Sequence, residues 1–410
     1  VAESAEGPIV IAGAGHAGGS AAAFLRQFGF TGSIILVGDE PIVPYQRPPL
    51  SKAWLKGEAD AASLALKPDD WYPDNNIALR LSQSVQAIDP AAHTVELSSG
   101  ETLAYRYLIL AMGARARQLT IPGSDLANIL ELRTAADAEA LKSQLGPGKT
   151  LAVIGGGYVG LEAAASARAL GAEAVVIERE DRILARVACK ELSDFFTGYH
   201  QAKGVRFDLA ASVQSFTGKD GKVTGVQLEG GQVIACDVAL VGIGAIPNDD
   251  AARAAGLDCG RGIIVDLDAR TSAPDIFAIG DVTERPLPLY ERTGRLESVP
   301  NALEQAKQAA SAIVGKPGPP SETPWFWSDQ YDLKLQIAGM PFDSDHLVIR
   351  GDPETAKFAV FHLKGDVLQC VEAVNSAPEY MMGRQLIGNR KPISEQKLAD
   401  PSISMKEVAV

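Results

Sequence analysis

The sequence predicts an α/β chain in which one strand–glycine turn–helix unit occurs twice, followed by a smaller α+β domain. Three observations carry this prediction. Two G-x-G-x-x-G turns, beginning at Gly13 and Gly155, each follow an apolar strand and open an alanine-rich helix. The 40 glycines fall at turns between apolar runs rather than in a repeat, as a fold with many strand-to-helix turns requires. After Pro317-Gly318-Pro319-Pro320 the helical pattern stops and short strands take over.

Composition bounds the function classes. A chain of 410 residues, 46% hydrophobic, is long enough for two or three packed domains. A net charge of -13 argues against nucleic acid as the main partner. The four cysteines, Cys189, Cys236, Cys259 and Cys370, form no CxxC or CxxxxC pair, which disfavours a disulfide framework or a structural zinc. They read as buried or surface thiols without a redox role. Val1–Pro8 lacks the basic and apolar regions of a secretory signal, and no apolar run reaches membrane-spanning length. The expectation is a cytoplasmic protein with no membrane partner.

The first module starts with the strand Ile9–Ala12, followed at once by Gly13-Ala14-Gly15-His16-Ala17-Gly18 and a helix over Ala21–Phe28. Gly13 permits the turn, Gly15 admits a pyrophosphate to the backbone, and Gly18 lets the helix approach the sheet, while free helix N–H groups face the anion. A second strand, Ser33–Val37, leads to Asp39 and Glu40; Asp39, about 20 residues beyond Gly18, has the reach to a ribose hydroxyl. His16 reads either as a base or as a local contact to cofactor or backbone, and hydride chemistry at a flavin calls for no base. In Pro44–Lys52 the prolines hold an extended segment, and Ser51 is expected to cap a short helix through Leu55. Such a segment is an ordinary loop, or it lines the ring end of a long cofactor, with Lys52 offering positive charge to a reduced flavin.

The second module repeats the first. Leu151–Ile154 forms a strand, Gly155-Gly156-Gly157-Tyr158-Val159-Gly160 opens a helix through Leu170, Gly171 ends it, and Ala174–Ile177 leads to Glu178. A carboxylate there bonds an unmodified ribose and repels a 2′-phosphate, which favours NADH, although neighbouring Arg179 is able to hold that phosphate. Glu162 is read either as charge compensation near the helix N-terminus or as a nicotinamide-side contact bridged to Lys52. Two such modules in one chain suit a tightly held, non-covalent FAD and a diffusible nicotinamide, each with its own Rossmann-like dinucleotide-binding domain.

Tyr107–Ala114 and Val238–Gly244 are matched strand-plus-glycine stretches where the chain leaves and re-enters the first domain. Thr271–Asp281 supplies a buried strand, Phe277–Ile279, with Asp281 at its carboxyl edge, placed to accept from a ribityl hydroxyl. Val299–Ala312 reads as a helix with Pro300 at its start. The expected domains are therefore residues 1–113 with 245–320 for FAD, 114–244 for NAD, and an α+β domain over 321–410. In the last, Lys334–Ile337, Lys357–Leu363 and Val367–Val374 are strands and Pro378–Ile387 is a helix. Its opening, Pro324–Gln330, holds Trp325 and Trp327, which read as an interdomain plug, as rings near a flavin, or as both.

These motifs, in this order, resemble the NADH-dependent ferredoxin reductases of bacterial oxygenase systems, putidaredoxin reductase-like members of the glutathione reductase fold group. The resemblance rests on the two glycine turns, Pro44–Lys52, Thr271–Asp281, Glu297–Ala302 and Pro324–Gln330, and covers essentially the whole chain. It implies a flavin site of Gly13, Ala17, Asp39, Lys52, Val85, Arg133, Asp281 and Val299. It implies a nicotinamide nucleotide site of Gly155, Gly157 and Gly160 with Glu162, Glu178 and Gly244. Trp327 resembles the family tryptophan close to the flavin, and Arg292 and Arg295 are candidates for ferredoxin docking. With no cysteine before Cys189, the disulfide chemistry of glutathione reductase is missing.

The function so implied is hydride transfer from NADH to FAD, then single electrons to a [2Fe-2S] ferredoxin serving a cytochrome P-450 type monooxygenase. No metal ligand and no nucleophile is needed. A Rieske-type dioxygenase reductase, an NADH oxidase and a flavoprotein like apoptosis-inducing factor are the alternatives. A monomer or weak dimer is expected.

Overall fold

The structure, a computed structural model, describes residues 7–410. The signal-sequence reading of Val1–Pro8 thus lies, for residues 1–6, outside the described residues. The chain forms two compact units. One holds the chain up to Arg47, Ala61–Arg115 and Ile246–Pro324; the other holds Pro48–Asp60, Ala116–Ala245 and Trp325–Val410.

The first unit is built on a five-stranded parallel sheet, ordered Ile276–Ala278, Tyr107–Leu110, Ile9–Ala12, Ile34–Val37, Ile77–Arg80. Its central strand is apolar at every position because both faces are covered. Ile9 and Ile11 face the helices His16–Gln27 and Val299–Ile313, which meet through Ala21, Ala22, Ala306, Ala309 and Ala310. Such small side chains let the two helices lie close together. Val10 and Ala12 face the other way, onto Ile88, Val95, Leu97 and Leu103 of a three-stranded antiparallel sheet.

The second unit repeats the parallel sheet as Val205–Asp208, Glu173–Ile177, Thr150–Ile154, Val238–Val241, Ile129–Leu130. Here too one face of the sheet, at Ala152, Ile154, Val175 and Ile177, packs on an antiparallel sheet through Phe216, Val226 and Leu228. The duplication extends to single hydrogen bonds. Gly13 donates to Val37 O at 2.8 Å, and Gly155 donates to Ile177 O at 2.9 Å. The unit also contains a five-stranded antiparallel sheet, ordered Trp325–Gln330, Leu333–Gly339, Val367–Val374, Lys357–Lys364, His346–Asp352, with the helix Ala377–Asn389.

Several local expectations shift. The first glycine helix begins at His16, inside the turn, rather than at Ala21. The second runs Tyr158–Ala169 and stops where Gly171 takes φ +83. Ser51 caps no helix. It ends the short 3-10 turn Pro48–Ser51, and its hydroxyl is taken by Pro48 O and by the Glu162 carboxylate. Trp325–Gln330 is a full strand, turned tightly into Leu333–Gly339 at Tyr331, whose φ is +55. The helix Lys190–Ala202, whose Leu192, Phe195, Phe196 and Tyr199 recur at helical spacing, and the strand His346–Asp352 are additional to the elements expected from the sequence.

Candidate nucleotide-binding and redox site

The glycine turns separate positions that packing requires from one that it does not. A Cβ on Gly13 would stand 2.2 Å from Ala111 O, and one on Gly18 would stand 1.9 Å from Gly13 O. Both must be glycine for the fold to close. A Cβ on Gly15 would meet nothing nearer than Arg47 Nε at 3.7 Å. The second turn behaves alike: a Cβ on Gly155 would lie 2.3 Å from Gly242 O and one on Gly160 2.5 Å from Gly155 O, while Gly157 faces open space. Gly15 and Gly157 are the N-caps of their helices, and neither offers a side chain to the free N–H groups. Each turn is thus an open cradle of backbone donors at a helix N-terminus, the arrangement that receives a pyrophosphate.

Carboxylates stand beside both cradles in different ways. Glu178 directly follows its strand; its Oε2 accepts the Gly156 N–H at 2.7 Å and its Oε1 the Glu180 N–H at 2.9 Å. Arg179 is 74% exposed and pairs with Glu180 at 3.0 Å. In the first module the residue directly after the strand is Gly38, where a Cβ would come within 2.4 Å of the Ala14 Cβ. Asp39 therefore stands one position further on and is exposed. The ordered carboxylate nearby is Glu40, which the sequence reading left without a role; it takes Arg47 Nη2 at 2.6 Å and the Tyr45 hydroxyl at 2.8 Å. Burial, aided by the Arg47 charge, holds the His16 imidazole below its ordinary pKa. His16 Nδ1 is buried and without a hydrogen-bond partner among the described residues, a polar atom left over at the first cradle.

Of the other expected residues of the first unit, Asp281 and the helix begun by Val299 lie by the same glycine helix. Asp281 lies in the turn Gly280–Val282 just past Ile276–Ala278. A Cβ on Gly280 would be 3.1 Å from that of Ala17, so this turn and the glycine helix touch. Gln305 Oε1 accepts the Gly280 N–H at 2.8 Å, tying the turn to the helix that Val299 begins and Ser298 caps. Val85 opens the antiparallel strand Val85–Asp89 and is half-buried on the far face of the sheet. Arg295, a docking candidate in the sequence, donates to Asp281 O at 3.0 Å and pairs with Glu297 at 2.8 Å. Arg292 is exposed on the strand Arg292–Gly294.

Lys52, Arg133, Glu162, Gly244 and Trp327 belong to the second unit. Arg133 precedes the capping box of Thr134 and Asp137, and its backbone N–H donates to Asp137 Oδ2. Gly244 takes φ +109, and its carbonyl accepts the Arg117 N–H. Trp327 is half-buried, its ring 5.8 Å from that of Trp325.

Lys52 and Glu162 form one cluster with residues missed by the sequence reading. Lys52 Nζ meets Glu162 Oε2 at 2.7 Å, with side-chain exposures of 18% and 6%. Ser51 Oγ donates to the same oxygen at 2.5 Å, and Ser328 Oγ donates to Oε1 at 2.6 Å. Glu162 is thus a buried carboxylate with a cation and two hydroxyl donors, the condition for keeping such a charge in the interior. The bridge to Lys52 named in one of its two sequence readings is present. Further off, Cys189, His362 and Glu372 bring potential ligand atoms within 4.8 Å of one another. The group closes on itself, His362 Nε2 lying 3.0 Å from Glu372 Oε2. All four cysteines are free.

The architecture and these two cradles define a two-dinucleotide oxidoreductase, and the comparisons agree. Residues 7–306 match the pyridine nucleotide-disulphide oxidoreductase family and residues 325–409 the reductase C-terminal family. The chain belongs to this family, with two Rossmann-like domains of the glutathione reductase type and a C-terminal α+β domain; use of FAD and NAD(P)H comes with it.

Its relatives are more particular. The chain is 50% identical over 403 residues to probable ferredoxin reductase CtmF of Castellaniella defragrans, covering 98% of each. It is 40% identical over 405 residues to putidaredoxin reductase CamA of Pseudomonas putida, covering 98% of this chain and 96% of the relative. The crystal structure of the covalent putidaredoxin reductase–putidaredoxin complex matches with a TM-score of 0.95 at 39% identity, covering 98% and 97% of the two chains. The chain is an oxidoreductase of the ferredoxin reductase kind.

Proposed function

We propose that this protein is an NADH:ferredoxin oxidoreductase that holds FAD tightly and non-covalently and passes electrons to a [2Fe-2S] ferredoxin feeding a cytochrome P-450 type monooxygenase. The carrying observation is the pair of open middle glycines, Gly15 and Gly157, at two uncapped helix N-termini in one chain. One dinucleotide would account for only one of them. The relatives support the acceptor: one is a putidaredoxin reductase and another serves as probable ferredoxin reductase.

FAD, when bound, takes a hydride as a two-electron unit and releases electrons singly, which couples a nicotinamide donor to a one-electron carrier. The protein's own residues bind and orient. The FAD-binding range is assigned to residues 1–113 and 245–320, the NAD-binding range to 114–244, and the α+β domain to 321–410. Gly13, Gly15, Ala17 and Gly18 give the FAD pyrophosphate its cradle, Asp39 the ribose contact, and Asp281 and Val299 the contacts further along the cofactor. Lys52, by its place in Pro44–Lys52, and Val85 and Arg133, by the family resemblance alone, complete the assignment.

Gly155, Gly157 and Gly160 cradle the nicotinamide nucleotide, with Gly244 beside them. Glu178 selects NADH, because a 2′-phosphate would meet an anchored carboxylate while Arg179 is engaged with Glu180. Glu162 and Lys52 set the charge at the reacting end, and Trp327 lies near the flavin. The protein acts as a monomer or weak dimer.

The test is anaerobic rapid mixing of NADH-reduced protein with a panel of oxidised [2Fe-2S] ferredoxins, following flavin and cluster absorbance. Fast, salt-sensitive reoxidation by one ferredoxin is expected. Slow transfer to all of them, with rapid turnover by oxygen or quinone, would overturn the reading in favour of an oxidase.

A further inference from the structure

The Glu162 cluster continues into the protein as a single file of hydrogen bonds. Ser328 Oγ, which donates to Glu162 Oε1, accepts from Gln330 Nε2 at 3.1 Å. The Gln330 Oε1 lies 2.7 Å from His200 Nε2, and His200 Nδ1 lies 3.3 Å from the Tyr331 hydroxyl. Ser328, Gln330 and His200 are all buried.

The polarity of this file follows from its ends. Glu162 as a carboxylate only accepts, so Ser328 spends its one proton there. Ser328 Oγ then needs a donor, which only the amide nitrogen of Gln330 supplies. That places the Gln330 oxygen towards His200, so His200 carries its proton on Nε2 and accepts at Nδ1 from Tyr331. Burial keeps this imidazole neutral, its pKa lowered to about 4, so the tautomer persists through the working range. Every hydrogen in the file points towards Glu162, the arrangement in which successive bonds polarise one another.

The consequence falls on Lys52. Glu162 Oε2 holds both Ser51 and Lys52, and Oε1 holds Ser328 alone. With donors on both oxygens the carboxylate plane is locked. Without Ser328 the carboxylate is free to rotate, and Oε1 competes with Oε2 for the ammonium.

We propose that Ser328, oriented by Gln330 and His200, is a positioning residue that fixes the Glu162 carboxylate and, through it, the Lys52 ammonium for hydride transfer. The inference rests on the functional reading that Lys52 serves the reacting end of the flavin.

Three holoenzyme variants test it: Ser328→Ala, Ser328→Thr, which keeps the hydroxyl, and Gln330→Met, which removes the donor to Ser328 together with the acceptor of His200. Two readouts are taken, the limiting rate and Kd of anaerobic flavin reduction by NADH, and acylation of Lys52 followed by peptide mass spectrometry. Ser328→Ala is expected to slow the limiting rate about tenfold with the NADH Kd nearly unchanged, since a displaced charge near the reacting atoms weakens the transition state more than binding. Lys52 acylation is expected to rise severalfold, Gln330→Met to move both readouts in the same direction, and Ser328→Thr to restore them. Wild-type rate and acylation in a folded Ser328→Ala or Gln330→Met protein would overturn the proposal. So would a change in Kd alone. A wild-type protein that takes no hydride from NADH, with Lys52 acylation still raised in Ser328→Ala, would sink the functional reading and the catalytic purpose of the lock while leaving the contact intact.

Discussion

Glu178 Oε2 accepts the backbone N–H of Gly156 at 2.7 Å, so the carboxylate nearest the second glycine cradle is fixed by the cradle itself. Its other oxygen is fixed by the Glu180 N–H. Glu178→Ser removes the charge and loosens both contacts. KM for NADH is expected to rise about tenfold, the weight of one charge-assisted hydrogen bond, with kcat little changed. The NADPH-to-NADH ratio of kcat/KM should rise as well. Unaltered nucleotide preference would show that Glu178 only braces the turn.

Two glycines of that cradle, Gly155 and Gly157, should respond differently to the same added methyl. At Gly155 the backbone has φ +107 and the new Cβ would overlap Gly242 O, so Gly155→Ala should lose about 3 kcal/mol or more of stability. Gly157→Ala meets no protein atom and should cost about 1 kcal/mol or less. Its methyl nevertheless points into the cradle, so NADH binding should weaken about tenfold in a protein of nearly normal thermal stability. Calorimetry beside NADH titration separates the two, and a Gly157→Ala protein with full NADH affinity would place the nucleotide elsewhere.

His200 ties the fold to pH. Its pKa falls from 6.5 to about 4 because burial opposes the charged form, even though the Gln330 bond favours it. The unfolded chain therefore takes up the proton first as pH drops. The stabilisation held above pH 6.5 is lost as pH falls through 4, about 3 kcal/mol in all. Denaturant unfolding between pH 7 and 4 should show this slope in the parent and a flatter one in His200→Phe. Parallel pH profiles would refute the assignment.

The thiols should be inert in the folded protein. Burial raises all four, with Cys236 pushed up to about 12, and the Glu372 carboxylate raises Cys189 further. At pH 8 little thiolate exists to react. A disulfide exchange reagent should label the native protein slowly and release four equivalents after unfolding. A single fast native thiol would contradict this.

Much of the architecture was legible because it is local. Each apolar strand, glycine turn and alanine-rich helix lies within about 30 residues, and spacing alone identifies it. The first and third glycines of each turn also behave as the motif implies. Ser328, Gln330 and His200 were not legible. They are ordinary polar residues, and Ser328 reaches Glu162 across a sequence separation of 166. No periodicity marks such a partner. The ties of Glu40 to Arg47 and Tyr45 were not legible either, because nothing in the spacing marks those three side chains as partners. Ser51 was read as a cap because capping is its commonest use, and its hydroxyl instead has a partner on a helix over a hundred residues away.

The short stretch Pro48–Asp60 packs with the second unit although the first unit flanks it on both sides in sequence. Anyone building hybrids between relatives must reckon with this. Exchanging residues 114–244 as a block imports a new Glu162 helix while leaving the native Ser51, Lys52 and Ser328 to meet it. A mismatch there leaves a carboxylate sealed in the interior without its full complement of donors, and such hybrids should express poorly even when every strand aligns. The heritable module for this chemistry is three separated stretches, Pro48–Asp60, the helix bearing Glu162, and Trp325–Gln330, which have to travel together.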